Sequence, residues 1–229
     1  MNYDEVFEAY YSLYRAEAQT PSTTDDEYTV GIRLANEAIR RWSKYDNTMW
    51  KELFTTRVID GDGDGTIVAG QTDYAAPQNM QLVGGFIRVA DSSGATLQHY
   101  QILEPQDAQF KGDISTYAYF IGDPNNGYTL VLNPAPVAGS PIIGGTIDYV
   151  YYKKPTIFET GTDTTEMSEP YFIVHRMLAN RFRSSRNPYY GSAKTDAEDA
   201  LRTMQLTNNS GTWADPWSLQ DHSGSTWGA

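Results

Sequence analysis

The spacing of apolar residues changes twice along this chain, and that change constrains the fold more than any other feature of the sequence. Up to about residue 48, apolar side chains recur every three or four residues, as on one face of a helix. From Trp50 to about residue 160 they occur in short runs with a period of two, separated by Gly, Pro, Asn and Asp. The helical period returns after Ser168. The sequence therefore predicts an α+β protein in which an antiparallel β-sandwich or barrel is inserted between helices that together form a bundle.

Two helices that fold back as a hairpin are predicted before the β region. The first covers residues 3–18. The second follows Thr24, which we expect to be the N-cap because Glu27, three residues later, completes a capping box. It is expected to end near residues 45–47. Its apolar stripe consists of Ile32, Ala35, Ile39 and Trp42, and its charged residues lie mainly off that stripe: Arg33, Glu37, Arg40, Arg41 and Lys44.

The central region predicts seven short strands and a single helical turn at residues 104–108. Hairpin turns are expected at residues 91–94 and 123–127, where Gly or Asn supplies the positive φ that such turns require. The predicted strands are residues 54–59, 65–69, 86–90, 95–102, 117–121, 128–132 and 146–152.

Two more helices are predicted after the β region. Ser168 is expected to cap the first, whose buried stripe would contain Tyr171, Val174, Leu178 and Phe182. Asn187-Pro188 interrupts the helical pattern, and a last helix covers residues 192–206. Its expected buried residues are Ala193, Ala197, Leu201 and Met204.

The chain is therefore expected to have four parts: an N-terminal helical hairpin (1–48), an antiparallel β domain (49–160), C-terminal helices that complete the bundle (161–208) and an extended C-terminal arm (209–229). The arm is rich in Gly, Ser and Thr but contains Trp213, Trp217 and Trp227. A solvated tail rarely keeps three tryptophans, so we expect the arm to dock on a partner.

The charge of the chain is strongly acidic and unevenly distributed. With 29 acidic and 17 basic residues, the formal net charge is −12, the opposite of what a DNA-binding protein normally carries. Residues 58–170 carry −10, whereas residues 171–194 carry +5 and contain no acidic residue. This basic segment is either a solvated helix face or a surface that meets an acidic partner. A membrane span is not expected, because no apolar run approaches the roughly 20 residues that one requires.

The sequence contains little that indicates catalysis. There is no cysteine, which excludes disulfides, zinc–thiolate sites and cysteine nucleophiles. Asp60, Asp62 and Asp64 match the first ligand positions of a calcium loop, but Gln71 stands where the bidentate Glu is required. A flexible acidic hairpin tip is the favoured interpretation, and calcium held in another geometry is the alternative. No nucleotide-binding or nucleophile-elbow motif is present, so we expect neither a cofactor nor enzymatic activity.

The order of several short motifs resembles a known family. A helical hairpin ends in residues 35–42 (ANEAIRRW), and a strand breaks into a Tyr74-x-x-Pro77 turn. Four further motifs follow in order: residues 103–107 (LEPQD), 128–136 (YTLVLNPAP), 149–155 (YVYYKKP) and 169–171 (EPY). Over residues 28–206, this order resembles the head-to-tail adaptor proteins of tailed bacteriophages, whose podophage members are called tail tubular protein A.

The resemblance implies a non-enzymatic structural protein of the virion neck, assembled in the host cytoplasm. Such adaptors form a ring, generally of twelve copies, that joins the portal to the tail, nozzle or stopper protein below and lets the genome pass. The final helices and the arm are expected to bind the portal, with Arg176, Arg183, Arg186, Trp213, Trp217 and Trp227 as contact residues. We also expect carboxylates of the acidic region to line the channel, because an acidic lining does not hold double-stranded DNA.

A second function from another class stays open at this point. A carbohydrate-binding β-sandwich module would use exposed aromatic rings to stack on sugars, assisted by calcium at Asp60, Asp62 and Asp64. The predicted helices at both ends of the chain argue against it, since such a module does not need them.

Overall fold

The computed structural model describes residues 1–15, 20–60, 66–83, 85–108, 116–123 and 125–209. These residues contain four long helices and one eight-stranded sheet, so the predicted α+β class is confirmed. They divide into two compact units. Residues 1–53 and 155–209 form a helical unit, and Phe54–Lys154 forms a sheet unit. The predicted arm begins at the last described residue, and the rest of it, residues 210–229 with its three tryptophans, lies outside the described part.

The helices follow the predicted order. They are α1 (Tyr3–Tyr14), α2 (Asp26–Ser43), α3 (Pro105–Ala108), α4 (Tyr171–Ser184) and α5 (Tyr190–Asn209), with short 3₁₀ turns at Tyr45–Asn47 and Lys51–Leu53. Among the described helices, none combines the length and apolar character that a membrane span needs.

The first residues of the helices differ from the prediction. The N-cap of α2 is Asp25 and not Thr24, and the Asp25 carboxylate accepts a hydrogen bond from the Ser22 amide at 2.7 Å. Ser168 does not cap α4, which begins after Pro170 with the Phe172 amide donating to the Glu169 carbonyl. Before α2, several residues that can form caps stand side by side, and the turn closed by Ser22 and Asp25 decides which of them is used.

A capping box is present at α1, where the sequence analysis had not placed one. The Asn2 side chain accepts a hydrogen bond from the Glu5 amide, and the Glu5 carboxylate accepts one from the Asn2 amide, both at 2.9 Å. The amides of Tyr3 and Asp4 donate to the carbonyls of Asp163 and Gly161. The first turn of α1 is therefore satisfied by its own cap and by the loop that precedes α4.

The buried residues of the helical unit agree closely with the predicted stripes. Ala193, Ala197, Leu201 and Met204 are all buried, as expected from their spacing. In α4, Val174, Leu178 and Phe182 are buried, but Tyr171 is 50 % exposed because it is the first residue of the helix. Contacts join α1 to α2 and α4, α2 to α4, and α4 to α5. The finer description as a hairpin that completes a bundle stays a prediction.

One buried amide holds the segment after the sheet unit on α2. Asn36 Nδ2 donates to the Phe158 carbonyl, and the Phe158 amide donates to Asn36 Oδ1, both at 2.8 Å. Among the described residues, Asn36 is the one buried side chain that is polar or charged. Its two bonds satisfy the Phe158 backbone where water is excluded.

The sheet contains two strands that the sequence analysis missed. Its strands are β1 (Phe54–Ile59), β2 (Asp73–Ala76), β3 (Met80–Val83), β4 (Phe86–Ala90), β5 (Thr96–Ile102), β6 (Tyr117–Asp123), β7 (Gly127–Asn133) and β8 (Thr146–Lys153). The strand predicted at residues 65–69 is wrong in its described part, since residues 66–68 are irregular and a turn follows.

The strand order shows that the sheet curls. The order is β1-β8-β4-β5-β6-β7-β2, with β3 also paired to β8, and all pairs are antiparallel except β5–β6. The Met80 amide donates to the Pro77 carbonyl, which closes a turn between β2 and β3 whose end Cα atoms lie within about 7 Å. In a flat sheet, four strand spacings of about 4.8 Å would separate β2 from β3 by about 19 Å. The sheet must therefore curl, and its core lies on the concave side. Whether it is a sandwich or a barrel stays a prediction.

Candidate interaction surface on the helical unit

The helices α2 and α4 separate their apolar and cationic residues onto different sides. Ala35, Ile39 and Trp42 of α2 are fully buried, as are Val174 and Met177 of α4. Both helices have arginines in their last turn, where a positive charge is favoured by the helix dipole. Burial of the apolar stripes therefore leaves the arginines on the outside of the unit.

One hydrogen bond fixes how α2 and α4 face each other on that outer side. Asn180 Nδ2 donates to Glu37 Oε2 at 3.3 Å. Arg41, four residues after Glu37, lies close enough to Arg176, four residues before Asn180, for its charge to act on it. The two helices are therefore antiparallel at this contact.

Five arginines lie one helical turn from Glu37 or Asn180, the two residues that form this hydrogen bond. Residues three or four positions apart are neighbours on a helix surface. This spacing places the following residues beside the Glu37–Asn180 pair: Arg33, Arg40 and Arg41 on α2, and Arg176 and Arg183 on α4. We call these five residues the basic seam. Arg176 is half-buried and the other four are exposed.

One residue of the seam, Arg176, is in an electrostatically unfavourable position in the isolated chain. Burial of the Arg176 guanidinium lowers its pKa, and the nearby charge of Arg41 lowers it further. Tyr190, Glu198 and Glu37 act in the opposite direction but do not offset these two effects. Along each helix, no two arginines of the seam stand three or four residues apart, and Glu37 lies one helical turn from all three arginines of α2. The unfavourable contact in the seam is therefore the one between Arg41 and Arg176, across the two helices.

Some arginines outside the seam have acidic partners: Arg88 and Arg181 form ion pairs, whereas Arg186 and Arg202 form none with described carboxylates. Arg181, also on α4, forms an ion pair with Glu27 at 2.9 Å and donates to the Tyr14 hydroxyl at 3.2 Å. In the described residues, no guanidinium group of the seam forms a hydrogen bond, or an ion pair within 4.0 Å. Since the chain has 29 acidic residues, this group of arginines without ion pairs makes the surface a candidate site for an acidic partner.

The structure brings together some of the predicted portal contacts and not others. Arg176 and Arg183 are both in the seam. Arg186 lies beyond it, exposed in the turn after α4 with a φ of 53°. Trp213, Trp217 and Trp227 lie outside the described residues.

Sequence reasoning missed the α2 half of the seam. Arg33, Arg40 and Arg41 were correctly expected off the buried stripe, but nothing in the sequence joined them to α4. One signal was available in the sequence. On both helices, arginines stand three or four residues from a polar side chain, which is the carboxylate of Glu37 on one helix and the amide of Asn180 on the other.

The possible calcium loop falls mostly outside the described residues. Asp60 is exposed at the end of β1, whereas Asp62 and Asp64 are not described. Within the described part of the chain, no group of three or more His, Asp and Glu side chains could hold a metal ion.

Comparison with known proteins agrees with the resemblance given by the motif order. A family model described as SU10 adaptor protein matches residues 1–220. No curated protein matches the chain. The family match covers the helical unit, the sheet unit and part of the predicted arm. It supports the adaptor function and gives no support to a carbohydrate-binding module. The chain belongs to the SU10 adaptor protein family, a family of phage head-to-tail adaptors.

Proposed function

We propose that the protein forms a ring below the portal, joins the capsid to the tail and lets the genome pass, without enzymatic activity. The family supports a structural role in the virion and contacts with other phage head and tail proteins. Twelve copies is the expected number, by analogy with the adaptors that the sequence resembles. The tail-side partner would be a tail, nozzle or stopper protein, and assembly would take place in the host cytoplasm.

The basic seam is the observation that carries this proposal. The seam docks on carboxylates of the portal, together with Arg186 and the predicted arm containing Trp213, Trp217 and Trp227. Arginine is well suited to this contact, because its planar guanidinium binds a carboxylate through two parallel hydrogen bonds. Those bonds would relieve the repulsion between Arg41 and Arg176.

The acidic surplus of the chain fits the passage of DNA. The sheet unit contains ten acidic and five basic residues, and the whole chain carries −12. Protein–DNA affinity follows the number of phosphates that are neutralised, so a channel lined with carboxylates does not retain the duplex. We propose that carboxylates of residues 58–170 face the channel. A density map of the neck with a continuous basic lining would contradict this part of the proposal.

Portal binding by charge-removal variants tests the seam. Arg33→Gln combined with Arg183→Gln removes two positive charges from the seam. Arg15→Gln combined with Lys154→Gln removes two from positions outside the final helices and serves as the matched control. We expect the seam variant to bind purified portal of the same phage at least 10-fold more weakly than the wild type, and the control variant to bind within about twofold, because losing one partner of a charge pair that the interface buries costs at least about 2 kcal/mol.

Two results would count against the proposal. Equal weakening in both variants would show that only the overall charge matters. Absence of binding by the wild-type chain, to the portal alone and to the portal with its tail-side partner, would remove the adaptor function itself.

A further inference from the structure

The convex face of the sheet is unusually apolar for a surface exposed to water. Alternation along a strand places successive side chains on opposite faces of a sheet. Since Ile59, Ile147 and Ile87 belong to the concave core, their neighbours in the strands point outward. An antiparallel sheet with one solvated face normally has polar residues there.

Four large apolar side chains occupy outward positions on adjacent strands. Val58 is 41 % exposed, Val150 47 %, Phe86 52 % and Leu97 46 %. They belong to β1, β8, β4 and β5, which are consecutive in the sheet. Val58 pairs with Asp148, which stands two residues before Val150 on β8. Phe86 pairs with Gln101, which stands four residues after Leu97 on β5. The four side chains therefore belong to one continuous surface, which we call the neutral face.

The neutral face carries almost no net charge. In these four strands, which are fully described, Arg88 and Asp148 are the only Asp, Glu, Lys or Arg residues at outward positions. They neutralise each other: Arg88 Nε donates to Asp148 Oδ1 at 2.9 Å and to Oδ2 at 2.7 Å. Arg88 Nη1 also approaches Thr96 Oγ1, at 3.4 Å.

We propose that the neutral face is the surface through which one copy of the chain contacts the next. This inference rests on the proposed function, because a ring requires contacts between copies. A subunit with a charge of −12 repels its own copies, and at physiological salt this repulsion reaches about 8 Å from the surface. Copies can therefore approach closely where few charges meet. The neutral face meets that condition and also offers apolar side chains to bury.

The size of the neutral face sets the expected strength of the contact. Four strands about 4.8 Å apart, with six residues that rise about 3.3 Å each, cover about 400 Å². A standard interface buries about 800 Å² per partner, so the neutral face supplies about half of a stable contact. We therefore expect copies to associate weakly in solution and cooperatively once the portal holds them side by side.

Photo-crosslinking locates the partner of the neutral face directly. Phe86→p-benzoylphenylalanine keeps an aromatic ring at an exposed position, and Val137→p-benzoylphenylalanine, in an exposed loop of the same unit, is the control. The full chain is irradiated alone at high concentration and again with portal rings. We expect crosslinks between two copies from position 86, with portal or at high concentration, and none from position 137.

Every other outcome at position 86 would overturn the inference. A crosslink to residues 210–229 of the same chain would show that the predicted arm covers the face. A crosslink to the portal would show that the face binds the portal, and absence of crosslinks in both conditions would show that nothing covers it.

A charge placed on the neutral face separates this inference from the proposed function. Val150→Glu is compared with Val137→Glu, after both variants are shown to melt as the wild type does. Native mass spectrometry counts the copies on each portal as the protein concentration rises. We expect Val150→Glu to bind without cooperativity and to leave rings incomplete, and Val137→Glu to complete them. Cooperative completion by Val150→Glu would overturn the inference and leave the adaptor function intact. If the wild type does not bind portal at all, the adaptor function fails and the crosslinks of the chain alone decide the inference.

Discussion

The basic seam and the neutral face use arginine in opposite ways. On the seam, five arginines of α2 and α4 lie around a single hydrogen bond, and none of them forms an ion pair within 4.0 Å with a described carboxylate. On the neutral face, Arg88 is paired with Asp148, and four large apolar side chains are exposed on the same face. Unpaired charge selects a partner of opposite sign, whereas paired charge and apolar area suit a contact between identical, like-charged chains. We therefore assign the portal to the basic seam and a second copy of the chain to the neutral face.

We expect the largest effect when each surface is changed separately: each variant should lose one interaction and keep the other. Arg33→Gln with Arg183→Gln should weaken the binding of the first copy to the portal at least 10-fold and leave the crosslink from position 86 unchanged. Val150→Glu should abolish that crosslink and leave first-copy binding within about twofold. The reason is that charges across an interface act locally once other contacts exclude water.

Both variants are measured in the same two assays, native mass spectrometry with portal and photo-crosslinking of the chain alone. If either variant impairs both readouts equally, the two surfaces are not distinct and the comparison breaks down.

Asn36→Leu should destabilise the helical unit by about 2–4 kcal/mol without affecting the sheet unit. The substitution keeps the shape of the side chain but leaves the Phe158 amide and carbonyl without their partners in a buried position. Hydrogen exchange resolved by residue measures the loss of protection in α2 and α4 against that in β8.

Asn180→Leu is the control for this change, because its single bond to Glu37 is long and lies on the surface. We expect its cost to stay below about 1 kcal/mol. If Asn36→Leu lowered the protection of β8 as much as that of α2 and α4, the division into two units would be contradicted.

Alkaline pH should unfold the helical unit before the sheet unit. Burial raises the pKa of Tyr10 to about 12, and burial together with the hydrogen bond to the Asp4 carboxylate raises that of Tyr28 to about 12. Unfolded tyrosine loses its proton near pH 10, so above that pH the unfolded state binds fewer protons and stability falls as pH rises. Burial also raises the pKa of Tyr74 and Tyr100 in the sheet unit, but by less.

The pH effect is followed by circular dichroism of the helices and by tyrosinate absorbance in the same titration. The expected loss of helix lies between about pH 10 and pH 12. Phenylalanine at position 28 should move it to higher pH, since that ring has no proton to lose. Simultaneous loss of helix and sheet, or no loss below pH 12, would contradict the prediction.

A higher salt concentration should change binding less than the substitutions do, but it should affect the two surfaces differently. Between 0.1 M and 1 M salt the Debye length falls from about 10 Å to about 3 Å, which screens exposed charges. We expect portal binding through the seam to weaken severalfold, and crosslinking between copies to stay constant or increase as their repulsion is screened. Sedimentation with portal and crosslinking at both salt concentrations measure this. The opposite trend in either assay would show that the charges are assigned to the wrong surface.

Much of the fold could be predicted from local patterns. The buried face of α5 followed from the spacing of Ala193, Ala197, Leu201 and Met204, and the limits of β1 and β4 were predicted correctly. The strands β2 and β3 were missed because each has four residues and Pro77 follows the first of them. The parallel pairing of β5 with β6 was missed because nothing in the strands themselves specifies direction.

The candidate site was less accessible to such reasoning. Arg176, Arg183 and Arg186 were found because they lie in a basic segment of the sequence. The α2 half of the seam depends on a hydrogen bond between residues 143 positions apart, and no local pattern specifies that contact. The neutral face was missed for a related reason: Val58, Phe86, Leu97 and Val150 become neighbours only when the strand order is known.

Cryo-electron microscopy of the full chain bound to portal rings of the same phage is the most direct test of the adaptor function. The predicted result is a closed ring of copies on one side of the portal, with the basic seam against the portal and the neutral face buried between neighbours. Isolated copies scattered on the portal, or a portal without any bound chain, would contradict it.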